Sequence, residues 1–203
     1  MSDIRSETLR KLDEAASLGL VDEDIMPLLN SINSIDDLVT TSSCSGRFQL
    51  ISVPRTGDKP GSCIIGKWHR TISKDEMMQA ISGWDGEGEL HLLVQPLLVH
   101  VRARDISYGA MLRSIAQESS LKFSTIRSVK LGSNGNLVPW GVVVEMLGTE
   151  RMEVPIDGID RDTLEKCMGP WVRRGNELIV RTKGHIPRLI EALERTFKRG
   201  LDP

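Results

Sequence analysis

The stretch Thr41–Arg70, TSSCSGRFQLISVPRTGDKPGSCIIGKWHR, constrains the fold more than any other part of the chain. A small polar turn, Ser42–Arg47, leads into an apolar run, Phe48–Val53. Pro54–Gly61 reads as a Pro/Gly-rich turn, and a second apolar run, Cys63–Gly66, ends in Lys67-Trp68-His69-Arg70. Two short β-rich runs joined by such a loop predict a hairpin. Antiparallel strands return the chain to its starting end, so Ser42–Arg47 and Lys67–Arg70 are expected to meet there. Hydroxyls, a thiol, backbone donors, cations, an indole and an imidazole then gather in one place. A core needs no such collection, whereas a site for an anionic, aromatic ligand does.

The rest of the chain alternates helical and extended patterns. Ser6–Leu18 reads as a helix stopped by Gly19, and Asp22–Asn33 as a second helix capped by Asp22, with Ile25, Leu28, Leu29 and Ile32 on one face. Pro27 lies deeper in that helix than the usual first-turn proline. Ser73 with Glu76 predicts a capping box for Lys74–Ile81, and Gly83–Gly88 breaks the helix. Leu90–Arg102 is the strongest strand signal, and His100 is the polar residue in its apolar centre. Ser107–Glu118 is an amphipathic helix. Leu121–Leu131 and Gly141–Leu147 read as strands about the Gly132–Asn136 turn, with Arg151–Val154 pairing with the latter. Arg161–Val172 is read as a helix interrupted at Gly169-Pro170, Glu177–Thr182 as a strand, and Ile186–Arg199 as a helix. Together these predict one α+β domain over 1–203, a mixed or antiparallel sheet flanked by helices.

Several function classes are excluded. The net charge of −2 gives no global basic signature, so contact with nucleic acid must come from a local patch. Arg47, Lys67, Arg70, Arg102 and Lys122 are the expected members of that patch. Three cysteines with no CxxC spacing argue against a disulfide framework or zinc finger, and no metal is expected. Gly83, Gly86 and Gly88 lie between a helix and a strand, the wrong context for a dinucleotide-binding turn, and no P-loop or serine-hydrolase elbow occurs. A charged N-terminus and no long apolar run predict a protein of the cytoplasm with no membrane span.

Each candidate residue also has a plain structural reading. Ser42–Ser45 fit a turn whose hydroxyls satisfy backbone groups, Cys44 a small buried hydrophobe, Trp68 a rim residue, and His100 a hydrogen-bonded core histidine. Lys67, Arg70, Arg102 and Arg104 fit a solvated face. Cys63, Cys167, His91 and His185 are read as structural.

SSCSGR followed by a strand, a turn and KWH resembles the tRNA wybutosine-synthesising protein 3 family, with its archaeal Taw3 members. Pro96–Val101, Tyr108–Gln117 and Ser120–Ile126 are similar to further segments of that family, although Ser120, Leu121 and Thr125 replace its Gly, Phe and Gly. The resemblance covers roughly Asp22–Val144. It implies an S-adenosylmethionine-dependent methyltransferase without a Rossmann fold. The implied substrate is a ring nitrogen of the wybutosine-type tricyclic guanosine next to the anticodon of tRNA-Phe. It implies His69 or His100 as proton acceptor and Ser42, Ser43, Cys44, Ser45 and Gly46 as cofactor ligands. Arg47, Lys67, Trp68, Arg70, Lys122 and Ser124 are implied as RNA ligands. A non-catalytic RNA-binding module using the same residues is the alternative, and a protein in which SSCSGR is only a turn is the third.

Overall fold

The computed structural model describes residues 4–55 and 61–197. In chain order these form α1 (Ile4–Ser17), a 3-10 turn (Glu23–Ile25), α2 (Met26–Asn33), β1 (Leu38–Cys44), β2 (Arg47–Val53), β3 (Cys63–Trp68) and α3 (Lys74–Ser82). There follow β4 (Glu89–Gln95), β5 (Leu98–Ala103), α4 (Ile106–Glu118), β6 (Thr125–Leu131), β7 (Leu137–Leu147), β8 (Met152–Pro155), α5 (Arg161–Lys183) and α6 (His185–Phe197). The middle of the expected Pro54–Gly61 turn and the end of the expected Ile186–Arg199 helix lie outside the described residues. The class is α+β, and every strand pair among the described residues is antiparallel. No described helix is long and apolar enough to cross a membrane.

The chain divides into two compact units. The first comprises Met1–Ser45, Leu97–Thr149 and Gly184–Pro203 and holds a sheet of order β1-β5-β7-β6. Alternation along β5 and β7 turns Val99, Val101, Ala103, Val142, Val144 and Met146 to one face. There they meet Leu28, Leu29 and Ile32 of α2, Leu112 and Ile115 of α4, and Leu189 and Leu193 of α6. Leu98, His100, Arg102, Val143 and Glu145, the intervening residues, are left on the opposite face.

The second unit comprises Gly46–Pro96 and Glu150–Lys183, with sheet order β3-β2-β4-β8. Phe48, Leu50, Leu90, Leu92 and Val94 form the sheet side of its core, against Met77, Met168, Val172, Leu178 and Ile179. The helix α5 comes close because residue 175 has no side chain: a Cβ there would lie 2.3 Å from Phe48 Cζ and 3.0 Å from Val94 Cγ2. Alanine is ordinarily worth about 1 kcal/mol over glycine in mid-helix. Overpacking a core costs about 1–3 kcal/mol, more where rigid groups collide. Gly175→Ala is therefore expected to destabilise the protein by roughly 1 kcal/mol or more, the reverse of the propensity effect. A urea midpoint that is unchanged or raised would contradict this packing.

Several elements differ from the sequence reading. The Leu90–Arg102 strand is two strands in different sheets: Pro96 has no N–H for a ladder and ends β4 at Gln95. Ser42, Ser43 and Cys44 are not in a turn but complete β1, paired with His100, Val99 and Leu98. The segment from Met152 pairs with β4, not β7. Leu121–Ser124 is a loop, and β6 starts at Thr125. Residues 161–183 are one helix through Pro170, and Glu177–Thr182 is not a strand. Its buried stripe, Leu164, Met168, Val172, Gly175, Leu178, Ile179 and Thr182, keeps helical spacing across the proline. Pro170 and Lys166 both face solvent, where water can satisfy the carbonyl that loses its partner. Asp22 precedes the 3-10 turn but makes no side-chain cap, and α2 begins at Met26, which puts Pro27 in its first turn. The Ser73–Glu76 capping box is present.

Candidate functional site

The first unit carries a polar row across the open face of its sheet. The register sets Ser42 opposite His100, His100 opposite Glu145, and Glu145 opposite Thr125. Ser42 Oγ lies 2.7 Å from His100 Nδ1, and His100 Nε2 lies 2.8 Å from Glu145 Oε2. Arg127 makes a short ion pair with the same carboxylate, and its Nη1 lies 3.1 Å from His100 Nε2. A bare ring nitrogen at 2.8 Å from a carboxylate oxygen would be repelled, so Nε2 carries the proton and donates to Glu145. In the neutral ring Nδ1 is then the acceptor and takes the Ser42 hydroxyl hydrogen.

Burial opposes the charge on Glu145, but hydrogen bonds from His100 and Arg127, with the Arg127 charge, outweigh it and hold the carboxyl below its ordinary value. A carboxyl lowered on folding stabilises the fold fully above its unfolded pKa, and that contribution disappears as pH falls through the folded value. Glu145→Gln should thus be less stable than the parent protein at neutral pH, with the gap closing once pH drops below the ordinary carboxylate range. Equal urea midpoints at neutral pH would contradict it.

Beside this row is a cavity of about 600 Å³, lined by α1 and the segment after it, by α2, by β1 and by Arg102. Leu12, Ala15, Leu20, Val21 and Leu29 are in its apolar wall, and Thr40, Thr41, Ser42, Ser43 and Arg102 in its polar one, with Thr8 and the Glu7–Lys11 ion pair of α1. Arg102 Nη1 donates to the Trp140 carbonyl at 3.2 Å. Thr40 is held by Asn33, whose Oδ1 accepts from the Thr40 amide at 2.8 Å.

The remaining SSCSGR residues have structural partners of their own. Cys44 is half-buried at the end of β1. Ser45 is fully buried, and its amide donates to Asp22 Oδ2 at 2.8 Å. Gly46 has φ 100°, a left-handed conformation that glycine adopts at little cost. Lys122 Nζ donates to the Gln117 carbonyl at 2.9 Å. Ser124 is buried, donates to the Leu121 carbonyl at 2.7 Å and accepts from the Leu147 amide at 3.1 Å.

In the second unit, the expected hairpin of β2 and β3 forms, with Phe48 opposite Trp68 and Gln49 opposite Lys67. Arg47 thus enters at the end where Lys67, Trp68 and His69 leave. Arg47 Nε donates to Gln95 Oε1 at 2.6 Å. The Trp68 ring lies over Gly66, where a Cβ would come within 2.2 Å of it. The His69 carbonyl accepts from Lys183 Nζ at 2.5 Å, and Arg70 pairs with Glu76 at 2.7 Å. The ring nitrogens of His100 face a hydroxyl and a carboxylate, at 2.7 Å and 2.8 Å.

Glu145 and Arg127 were not singled out in the sequence. A signal for Glu145 was present: it is the lone charge in the apolar run Gly141–Leu147, at the parity that alternation turns away from the core. Arg127 had none, since β6 is exposed along most of its length.

Residues 3–200 match the model of the family described as Methyltransferase TYW3. The tRNA(Phe) 7-((3-amino-3-carboxypropyl)-4-demethylwyosine(37)-N(4))-methyltransferase 1 of Pyrococcus furiosus is 38% identical over 195 residues, covering 94% of this chain and 95% of that protein. The protein of the same name from Thermococcus kodakarensis is 36% identical over 94% of this chain and 92% of its own length. The structure of the PH1069 protein from Pyrococcus horikoshii OT3 superposes with a TM-score of 0.80 at 32% identity, covering 94% and 92% of the two chains. A methyltransferase family implies a methyl donor, and tRNA(Phe) is the substrate that the relatives' names give. By its sequence over residues 3–200 and by its fold, the chain belongs to the Methyltransferase TYW3 family.

Proposed function

We propose that this protein transfers a methyl group from S-adenosylmethionine to a ring nitrogen of the wybutosine-type tricyclic guanosine beside the anticodon of tRNA(Phe). The observation that carries the reading is the Ser42–His100–Glu145 row at the edge of the cavity, with Ser42 belonging to both. The names of the relatives support the substrate.

The cavity fits such a donor on three counts. Its volume of about 600 Å³ is within the range of roughly 300–1,000 Å³ usual for small-molecule sites. Its apolar wall suits an adenine ring, and its hydroxyls and the Arg102 guanidinium suit ribose hydroxyls and an amino-acid carboxylate. A Rossmann fingerprint is not needed for this, because hydroxyls, one guanidinium and an apolar wall supply the contacts. S-adenosylmethionine, when bound, supplies a methyl group activated by its sulfonium.

The chain's own task is alignment and removal of one proton. As the acceptor nitrogen gains its fourth bond it must lose a proton, and His100 Nδ1 is the base through the Ser42 hydroxyl, which passes its own hydrogen to Nδ1 as it takes the substrate's. Glu145 keeps the other ring nitrogen protonated and balances the imidazolium that forms. Ser43 and Arg102 hold the donor, while Cys44, Ser45 and Gly46 keep β1 and its exit in place. In the second unit, Arg47 and Lys67 take phosphates and Trp68 offers a face to a base. His69 and Arg70 belong to that RNA-binding edge. Lys122 extends RNA contact from the first unit, and Ser124 holds the loop that carries it.

Titration with S-adenosylmethionine by calorimetry tests the reading. One donor per chain is expected; no heat at any donor concentration would leave only an RNA-binding module.

A further inference from the structure

We propose that the second unit carries a docking surface for the RNA sugar–phosphate backbone, along the outer face of α5. This rests on the reading of tRNA as the substrate. A groove of about 720 Å³ runs there, lined by Lys74, Arg173, Asn176, Glu177, Val180 and Arg181, among others. Arg173, Glu177 and Arg181 are four residues apart, so they share one helix face. The two arginines stand about 12 Å apart along the axis, at 1.5 Å per residue.

Charge identifies the occupant. Among the described residues, Lys74, Arg173 and Arg181 have no ion pair or hydrogen bond through their side chains. The groove's acid, Glu177, is already neutralised by Arg174 at 2.9 Å, and Glu76, two residues from Lys74, by Arg70 at 2.7 Å. Three uncompensated cations therefore share one groove in a chain whose net charge is −2. Both arginines are exposed, so solvent rather than protein holds them until an anion arrives. They are strung along the groove and do not converge on a point, which suits a polyanion better than a single small anion. Val180 is 64% exposed between them and gives an apolar contact for a sugar or base. Asn176 donates to the Ile72 carbonyl at 2.8 Å and accepts from the Ile72 amide at 3.0 Å, which ties the segment leading to Lys74 to α5.

The test compares the parent protein with Arg173→Gln/Arg181→Gln and with Lys74→Gln, in tRNA affinity across a salt series and in single-turnover methylation at saturating enzyme. Each lost phosphate contact lowers the slope of log K against log salt by about 1. The double variant should lose about 2 in slope and roughly tenfold or more in affinity at low salt, while its saturated single-turnover rate stays at the parent value. Unchanged affinity and slope in all variants would overturn the proposal, as would displacement of tRNA by poly-glutamate as effective as by unlabelled tRNA. If the variants lose tRNA but even the parent protein transfers no methyl group, the methyl-transfer reading fails and the docking surface stands. If the parent methylates tRNA and the variants bind as tightly, the docking surface fails and the reading stands.

Discussion

Replacing His100 by alanine is expected to slow methyl transfer by roughly 10²–10⁴-fold, the usual contribution of a general base, while tRNA affinity changes little. The ring is placed for this by three strands at once. Its Nδ1 faces Ser42 at 2.7 Å and its Nε2 faces Glu145 at 2.8 Å, so the accepting lone pair and its orientation are both set before substrate arrives. A lost neutral hydrogen bond to RNA costs only about 0.5–1.5 kcal/mol, too little to account for a rate effect of that size. Glu145→Gln should slow transfer less, because an amide can still accept from Nε2 but cannot balance an imidazolium. His69→Ala should act chiefly on RNA affinity. A His100 variant that loses affinity and keeps its saturated rate would move the base elsewhere.

Arg102→Ala is expected to weaken S-adenosylmethionine binding by roughly 10- to 150-fold, the equivalent of about 1.5–3 kcal/mol for a hydrogen bond to a charged group. The guanidinium lines the cavity and spends one donor on the Trp140 carbonyl, which leaves others for a carboxylate. Trp140 itself has φ 64°, unusual for a residue with a side chain, and its amide donates to the Arg104 carbonyl at 3.0 Å. That left-handed residue within β7 holds the carbonyl where Arg102 reaches it. Affinity for tRNA alone should be unaffected. Calorimetry that gives the same donor affinity with and without Arg102 would remove it from the cofactor site.

What the sequence made legible depended on how local the cause was. The β2–β3 hairpin, the Ser73 capping box and the apolar faces of α2 and α4 follow from patterns a few residues long. Ser42 and His100 stood out as residue types, but their pairing comes from the register of β1 on β5, which joins residues 58 apart. Glu145 became meaningful only when β7 came down on the other side of β5. The α5 helix was misread because Gly169-Pro170 is a strong local stop, whereas the buried stripe that overrides it spans five turns and is paid for by Phe48, Val94 and their neighbours. Likewise the polar run Ser42–Cys44 has turn composition, yet the ladder with β5 holds it extended. Local chemistry named the participants, and long-range pairing decided which of them face each other.

The activity proposed for this sheet face is a base-assisted methyl transfer. It is tested most directly by single-turnover reaction of methyl-labelled S-adenosylmethionine with tRNA(Phe) carrying the demethyl precursor, with the parent protein and His100→Ala both in saturating excess. Label is expected in the tricyclic base with the parent protein, and at a rate roughly 10²–10⁴-fold lower with the variant. No label with the parent protein, or equal rates for the two, would contradict it.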